Sequence, residues 1–200
     1  MIKTIGITGP SGAGKSVLSK HLALAGIPCI DADELYHSML NPPSRCLDAL
    51  AKAFGSDILK DDGSLDRVAL SSRVFNDQEE LDRLNNTVLP IVLDEIRRKI
   101  RSYDEEGIRF VALDAPTLIE SGFHRECDLI VTVLADKKSR ITRISERDHI
   151  MTDKAKERVA AQQSDDFYSS VSDVVITNDS DEASFKQQAD NLIQMILSLK

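Results

Sequence analysis

The sequence has few of the residues that mark a disulfide-stabilised, metal-binding or membrane-spanning protein. Its three cysteines, Cys29, Cys46 and Cys127, are odd in number and match no metal-ligand spacing. The four histidines show no such spacing either. No apolar stretch approaches the length of a membrane span, and no secretory signal precedes the first apolar run. We therefore predict a cytoplasmic protein with reduced thiols and no membrane partner.

The sequence also lacks an excess of positive charge. It has 25 Lys and Arg against 33 Asp and Glu, a formal net charge of −8. This balance argues against nonspecific binding of nucleic acid. The length of 200 residues favours one domain, and no repeat or low-complexity tract divides it. Nothing in the sequence indicates the oligomeric state.

The most specific pattern is Gly9-Pro10-Ser11-Gly12-Ala13-Gly14-Lys15-Ser16, which matches G-x-x-x-x-G-K-[ST] at every fixed position. It follows an apolar run from Ile2 to Thr8 and precedes a predicted helix from Val17 to Ala25. This order of strand, loop and helix is typical of a phosphate-binding loop and argues against a simple glycine-rich turn. Lys15 would neutralise the β and γ phosphates of a nucleotide, and the Ser16 hydroxyl would bind Mg²⁺.

Short apolar runs alternate with amphipathic segments, which predicts an α/β fold with a five-stranded parallel sheet and helices on both faces. Together with the phosphate-loop motif, this predicts a three-layer P-loop NTPase fold. The predicted strands are Lys3–Thr8, Gly26–Ile30, Arg109–Asp114, Leu129–Leu134 and Val174–Ile176. A final helix is predicted from Asp181 to Leu199.

The remaining segments predict a division of the single domain into three parts. The core comprises residues 1–33, 101–135 and 170–200. A helical, acceptor-binding insertion covers about 34–100, with breaks at Asn41-Pro42-Pro43 and Asp61-Asp62-Gly63. A helical lid covers about 136–169, with two charged helices that break near residues 149–152.

Two acidic residues follow the second predicted strand. Ligands collect beyond the carboxyl ends of strands in open parallel sheets, so a carboxylate there is a candidate base for a substrate hydroxyl. Asp31 is the better candidate for capping the next helix, and Asp33 for the base. Capping alone is the alternative explanation for the pair.

Asp114 ends the third predicted strand. That position suits a carboxylate near Mg²⁺, directly or through water, but it also suits a turn-forming Asp close to Pro116. The sequence leaves both open, and Glu120 is a less specific acidic candidate.

Arg140, Arg143 and Arg147 are spaced to share one helix face. Such a row can clamp phosphates from a lid. A solvated helix face is the alternative, which Glu146 and Asp148 support.

The sequence lacks the motifs of other classes of phosphate-loop protein. There is no N-K-x-D run for guanine recognition, although Thr177-Asn178-Asp179 resembles one weakly, and no L-S-G-G-Q run of a transporter. A helical insertion follows the second predicted strand, and an arginine-bearing helical segment lies later in the chain. This order is typical of an enzyme similar to nucleoside monophosphate kinases.

Over nearly its whole length, the chain resembles the dephospho-coenzyme A (dephospho-CoA) kinases. Several motifs occur in the family's order and spacing. They are Gly12-Ala13-Gly14-Lys15-Ser16, Ile30-Asp31-Ala32-Asp33, Asp62-Gly63-Ser64-Leu65-Asp66-Arg67, Asp114 to Glu120, Arg143 with Arg147-Asp148, Arg158 to Gln162, and Asp173 to Asn178.

The resemblance implies phosphorylation of the ribose 3′-hydroxyl of dephospho-CoA by ATP with Mg²⁺. It implies that Asp33 orients and deprotonates the acceptor hydroxyl and that Arg143 and Arg147 belong to the lid. Together with the motifs above, we predict that Lys15 and Arg143 also take part in catalysis and that Ser16 and Asp114 hold the metal, although the sequence leaves open which carboxylate contacts Mg²⁺. The resemblance also implies that Asn178 lies near the adenine, and that the insertion holds the pantetheine side of the acceptor. The implied ATP-binding residues are Gly12, Ala13, Gly14, Lys15, Ser16, Val17, Arg143, Arg147 and Asn178.

The chain departs from the family pattern at Leu89, Ser164 and Tyr168, where the family usually has histidine, a nearby proline and a nearby lysine. Thr117 also replaces a leucine. These changes keep two other hypotheses open. One is a kinase for another small acceptor, such as a nucleoside monophosphate or a sugar acid. The other is a nucleotide-binding sensor or scaffold that transfers no phosphate.

Overall fold

The computed structural model describes residues 1–74, 77–179 and 181–199. The chain divides into two compact units, Met1–Ile30 together with Ser102–Lys200, and Asp31–Arg101. The assignment of a core, an acceptor-binding insertion and a lid stays a prediction.

A five-stranded sheet in the order β2-β3-β1-β4-β5 organises the first unit. Its strands are β1 (Lys3–Thr8), β2 (Cys29–Asp31), β3 (Phe110–Asp114), β4 (Leu129–Leu134) and β5 (Val174–Thr177). Strand β1 is central and pairs in parallel with β3 and β4, and β4 pairs in parallel with β5. The predicted fold class is confirmed. Strand β2 starts later than predicted because the N–H groups of Gly26 and Ile27 bond back to α1 carbonyls.

The described ranges contain nine α-helices. They are α1 (Lys15–Leu24), α2 (Ala32–Ser38), α3 (Arg45–Phe54), α4 (Arg67–Val74), α5 (Gln78–Glu105), α6 (Lys137–Asp148), α7 (Thr152–Ala160), α8 (Asp165–Ser169) and α9 (Glu182–Ser198). The predicted break after α6 is confirmed, since His149 ends the helix in the left-handed conformation. The sequence did not predict α8.

Helices α1 and α9 contribute to one apolar core with the sheet. Leu18 and Leu22 of α1 are fully buried there, together with Ile5 and Ile7 of β1 and Ile196 of α9. Burial of each leucine stabilises the fold by about 1.5–3 kcal/mol. This packing fixes the first turn of α1 relative to the end of β1, which is where the phosphate loop lies.

The elements that residues 31–74 and 77–101 form are helices, together with the last residue of β2 and an isolated bridge between Leu59 and Leu65. Both predicted breaks, at residues 41–43 and 61–63, separate elements there. Arg73 donates to the Phe54 carbonyl and to Asp57, which joins α4 to the end of α3. In the described ranges, no helix combines the length and apolar character that a bilayer span requires.

Candidate active site

The loop between β1 and α1 has a backbone that favours glycine at three positions, Gly9, Gly12 and Gly14, and the space is tightest at the first and the last. Gly9 and Gly14 have φ of 131° and 110°. A Cβ on Gly9 would lie 2.2 Å from the Val133 carbonyl oxygen, and one on Gly14 would lie 2.3 Å from Asn178 Nδ2. The glycines of the motif therefore allow a positive φ and a close approach of neighbouring segments.

Side chains hold the loop by its carbonyl oxygens. Lys15 Nζ donates to the Gly9 carbonyl at 2.7 Å and to the Pro10 carbonyl at 3.3 Å. The next three carbonyls accept hydrogen bonds from distant segments: Ser11 from Arg140 Nε at 3.2 Å, Gly12 from Arg143 Nη1 at 3.2 Å, and Ala13 from Asn178 Nδ2 at 2.8 Å. The loop carbonyls are thus occupied by donors of the protein itself.

The loop leads into the N-terminus of α1. Gly14 is the N-cap residue in the left-handed conformation, and Lys15 and Ser16 are the first helical residues. The first N–H groups of a helix have no intrahelical acceptor and carry the positive end of its dipole. The N–H groups of Ala13 and Val17 donate to the carbonyls of Pro10 and Gly14. The N-terminus of α1 is therefore placed where an anion bound by the loop would lie.

The three arginines of α6 have different surroundings. Arg140 is only 2% exposed, and its Nη1 lies 3.7 Å from Asp165 Oδ1. Its burial lowers the pKa of its guanidinium, while Asp165 acts in the opposite direction. Arg140 therefore holds the loop from inside the protein and is not an exposed phosphate clamp.

Arg143 and Arg147 lie further along the same helix face. Arg143 is half-buried and joins the loop to the end of β5, because its Nη2 donates to the Asn178 carbonyl at 3.0 Å. Arg147 is exposed, and its Nη2 lies 3.4 Å from Ser11 Oγ. A hydrogen bond from Arg147 to Asp148 raises the arginine pKa and lowers that of the carboxyl. Of the three guanidiniums, that of Arg147 is the most accessible to a ligand.

Asp114 lies at the carboxyl end of β3, paired in register with Ile7 of β1. Its side chain is 7% exposed, and Oδ2 accepts a hydrogen bond from Ser19 Oγ at 2.9 Å. Because Ser16 and Ser19 are three residues apart on α1, they share a helix face. Ser16 and Asp114 therefore lie on the same side of the helix, and their oxygens are ligands that suit Mg²⁺.

The described part of the chain holds no group of three or more His, Cys, Asp or Glu suited to a metal. Magnesium in phosphate-transfer sites commonly uses one or two protein oxygens and completes its shell with water and substrate phosphates. The oxygen pair at Ser16 and Asp114 fits that mode of binding.

Asp33 belongs to the second unit, whereas the other predicted site residues belong to the first. It is exposed in the first turn of α2, two residues beyond the end of β2. Asp31 caps this helix, since its Oδ1 accepts from the Glu34 N–H at 2.9 Å. The predicted cap is confirmed, and it leaves the Asp33 carboxylate outside the cap.

Two residues of the loop's surroundings were not singled out from the sequence. Ser19 carries no sequence signal beyond its place one turn after Lys15, yet it contacts Asp114. Gln162 ends a recognised motif, and its Oε1 accepts from the Ser11 N–H at 3.1 Å. Both contacts depend on the tertiary fold, so spacing alone could not identify them.

The structure also shows what two departures from the family pattern do. Ser164 caps α8, with its Oγ accepting from the Phe167 N–H at 3.2 Å. Tyr168 is buried, and its carbonyl accepts from Ser172 Oγ at 2.7 Å. Both residues stabilise the chain between α7 and β5.

Comparison with known proteins identifies the family. The family model for dephospho-CoA kinase matches residues 3–184. The chain is 34% identical over 194 residues to the dephospho-CoA kinase of Corynebacterium glutamicum, with 97% of each chain covered. It is 35% identical over 188 residues to that of Methylococcus capsulatus, covering 94% of this chain and 93% of the relative.

Solved structures share the fold. The crystal structure of TT1252 from Thermus thermophilus superposes with a TM-score of 0.84 at 25% identity, with 99% of each chain covered. The dephospho-CoA kinase from Campylobacter jejuni superposes with a TM-score of 0.66 at 24% identity, with 97% of each chain covered. With the phosphate loop and the family match together, this chain belongs to the dephospho-CoA kinase family.

Proposed function

We propose that this protein transfers the γ-phosphoryl group of ATP to the ribose 3′-hydroxyl of dephospho-CoA, which gives coenzyme A and ADP and completes coenzyme A biosynthesis. The observation that carries the proposal is a phosphate loop whose carbonyl oxygens accept hydrogen bonds from distant side chains, in a chain of the dephospho-CoA kinase family. We propose that the reaction takes place in the cytoplasm, without nucleic acid or membrane as a partner.

The nucleotide phosphates bind at the loop and the first turn of α1. The N–H groups of Lys15 and Ser16 and the helix dipole attract the negative charge. Lys15 moves its ammonium from the Gly9 and Pro10 carbonyls toward the β and γ phosphates. Gly12, Ala13, Gly14 and Val17 supply the curled backbone that surrounds them.

The lid residues surround the same phosphates. Arg147 is exposed and beside Ser11, so a small movement of its side chain brings it onto the γ-phosphate. Arg143 adds positive charge next to Gly12 and Ala13. The Asn178 side chain donates a hydrogen bond to the Ala13 carbonyl, and Asn178 forms the edge of the adenine-binding site.

Ser16 and Asp114 would hold Mg²⁺, Ser16 through its hydroxyl and Asp114 directly or through water. When bound, the ion neutralises charge on the β and γ phosphates during transfer. The hydrogen bond from Ser19 orients the Asp114 carboxylate for this task. Few protein ligands are needed, because the nucleotide and water supply the rest.

Asp33 is the proposed base for the acceptor. Its carboxylate is exposed at the start of α2 and accepts the proton of the ribose 3′-hydroxyl as that oxygen attacks phosphorus. The helices of residues 31–101 hold the pantetheine side of dephospho-CoA. Most of the rate acceleration then comes from positioning and charge neutralisation.

An acceptor panel tests the proposal. ADP release is measured with ATP and Mg²⁺ plus dephospho-CoA, AMP, adenosine, shikimate or no acceptor. We expect release that depends on dephospho-CoA. Release with a different acceptor would keep the kinase chemistry and overturn the substrate, whereas ATP binding without release on any acceptor would favour the sensor hypothesis.

A further inference from the structure

Gln162 lies between α7 and α8, and its side chain reaches the phosphate loop. Its Oε1 accepts two hydrogen bonds, from the Ser11 N–H at 3.1 Å and from Arg140 Nη2. The side chain is half-buried, whereas the neighbouring Gln163 is exposed. Two glutamines in sequence therefore have different surroundings, and only the first reaches the loop.

Both the N–H and the carbonyl of Ser11 form hydrogen bonds with side chains. Gln162 accepts from its N–H, and Arg140 Nε donates to its carbonyl at 3.2 Å. Gln162 and Arg140 are also bonded to each other, which closes a ring of three hydrogen bonds. The ring fixes the orientation of Ser11, and Ser11 directly precedes the part of the loop that faces the nucleotide.

The position of this ring is well defined, because the Arg140 guanidinium that takes part in it is buried. Arg140 is 2% exposed and has an ionic neighbour in Asp165 at 3.7 Å. The backbone of α6 also presses on the loop, since a Cβ on Gly12 would lie 2.8 Å from the Arg140 carbonyl oxygen. A buried guanidinium is energetically costly unless hydrogen-bond acceptors surround it. The bond to Arg140 therefore favours this position of the Gln162 oxygen.

We infer that Gln162 is a positioning residue for ATP: it fixes the upstream end of the phosphate loop and thereby sets nucleotide affinity without touching the nucleotide. The inference rests on the proposed function only in that ATP is the ligand of the loop. A backbone that is already in its binding conformation loses less conformational freedom on binding. The same contact makes the connection from α7 to α8 part of the nucleotide site.

Three variants test this role by calorimetric titration of the purified protein with ATP and ADP. Gln162→Met keeps the length but removes the acceptor, Gln162→Glu keeps an acceptor oxygen, and Gln163→Ala is the matched control. We expect the dissociation constants for ATP and ADP to rise roughly ten-fold in Gln162→Met, the scale of a lost hydrogen bond. Gln162→Glu and Gln163→Ala should stay within about two-fold of the parent protein.

A KM measurement separates positioning from general destabilisation. We expect the KM for ATP to rise in Gln162→Met while the KM for dephospho-CoA stays unchanged, because a folding defect would only reduce the active fraction. If Gln162→Met does not fold, Gln162→Asn replaces it, since the shorter amide keeps the polarity but not the reach. Parental nucleotide affinity in either variant, or equal weakening in Gln162→Glu, would overturn the inference. Nucleotide titration needs no acceptor, so failure of the proposed acceptor is distinguishable from failure of this inference.

Discussion

The phosphate loop and the first turn of α2 hold their functional groups in different ways. Loop carbonyls accept hydrogen bonds from Arg140, Arg143 and Asn178, which come from two later segments of the chain. Asp33, by contrast, is exposed at the start of a seven-residue helix that is capped by Asp31. The backbone of the phosphate loop is therefore held by contacts from distant segments of the chain, whereas the proposed base Asp33 lies exposed on a short helix.

This difference separates the expected effects of substitutions. Changes in the loop or its supports should alter nucleotide affinity, because they disturb a backbone that is set before binding. Changes at Asp33 should alter the transfer step and leave nucleotide affinity intact. The predictions below run from the largest expected effect to the smallest.

Lys15→Ala should have the largest effect. It removes the loop's only lysine, and we expect kcat/KM for ATP to fall about 10³-fold, the scale of a lost charge-stabilising donor. Steady-state kinetics measure this, with Lys20→Ala on the exposed face of α1 as the control. Turnover near the parental value in Lys15→Ala would remove the proposed role of Lys15.

Asp33→Asn should lower kcat about 10²-fold, since general-base catalysis commonly contributes that much. The ATP dissociation constant should change by less than about two-fold. Asp31→Asn is the matched control, because asparagine caps a helix as well as aspartate does. An equal loss in Asp31→Asn, or lost ATP binding in Asp33→Asn, would show that this segment acts through its structure.

Gly14→Ala tests whether the loop backbone itself is the binding element. Both Gly14 and Gly26 have positive φ, so alanine at either position should cost about 1–2 kcal/mol of stability. Only at Gly14 does the new Cβ meet Asn178 Nδ2. We expect calorimetry to show about ten-fold weaker ATP binding in Gly14→Ala, a perturbation worth about 1.4 kcal/mol, and none in Gly26→Ala. Equal binding by both variants would contradict the account.

Asp148→Asn should have the smallest effect. Its hydrogen bond with Arg147 lowers the Asp148 pKa in the folded protein. A lowered folded-state pKa stabilises the protein above the unfolded value of about 4, and the stabilisation is lost as the pH falls further. We expect the variant to melt about 1 °C lower at pH 7, by less at high salt, and by progressively less as the pH falls below about 4. A difference that does not shrink with falling pH would exclude this ion pair as its source.

The sequence predicted most of the architecture because its signals are local. The phosphate-loop motif, the apolar strands β1 and β4 and the break after α6 depend on neighbouring residues. The later start of β2 and the five-residue α8 were not predicted, because backbone bonding at Gly26 and a serine cap at Ser164 decide them.

The predicted site was incomplete for the same reason. Spacing placed Arg140 in a row with Arg143 and Arg147, but tertiary packing encloses Arg140 and leaves Arg147 exposed. Ser19 and Gln162 make contacts across 95 and 151 residues of sequence, which no local pattern encodes. Local sequence thus predicted the loop, and only the fold showed what supports it.

The most direct test of the central claim is identification of the product. The protein is incubated with ATP, Mg²⁺ and dephospho-CoA, and the product is analysed by mass spectrometry and ³¹P NMR. We predict one added phosphoryl group, located on the ribose 3′-oxygen, with an equal amount of ADP. Recovery of unchanged dephospho-CoA, or a phosphoryl group at another position, would contradict the proposed function.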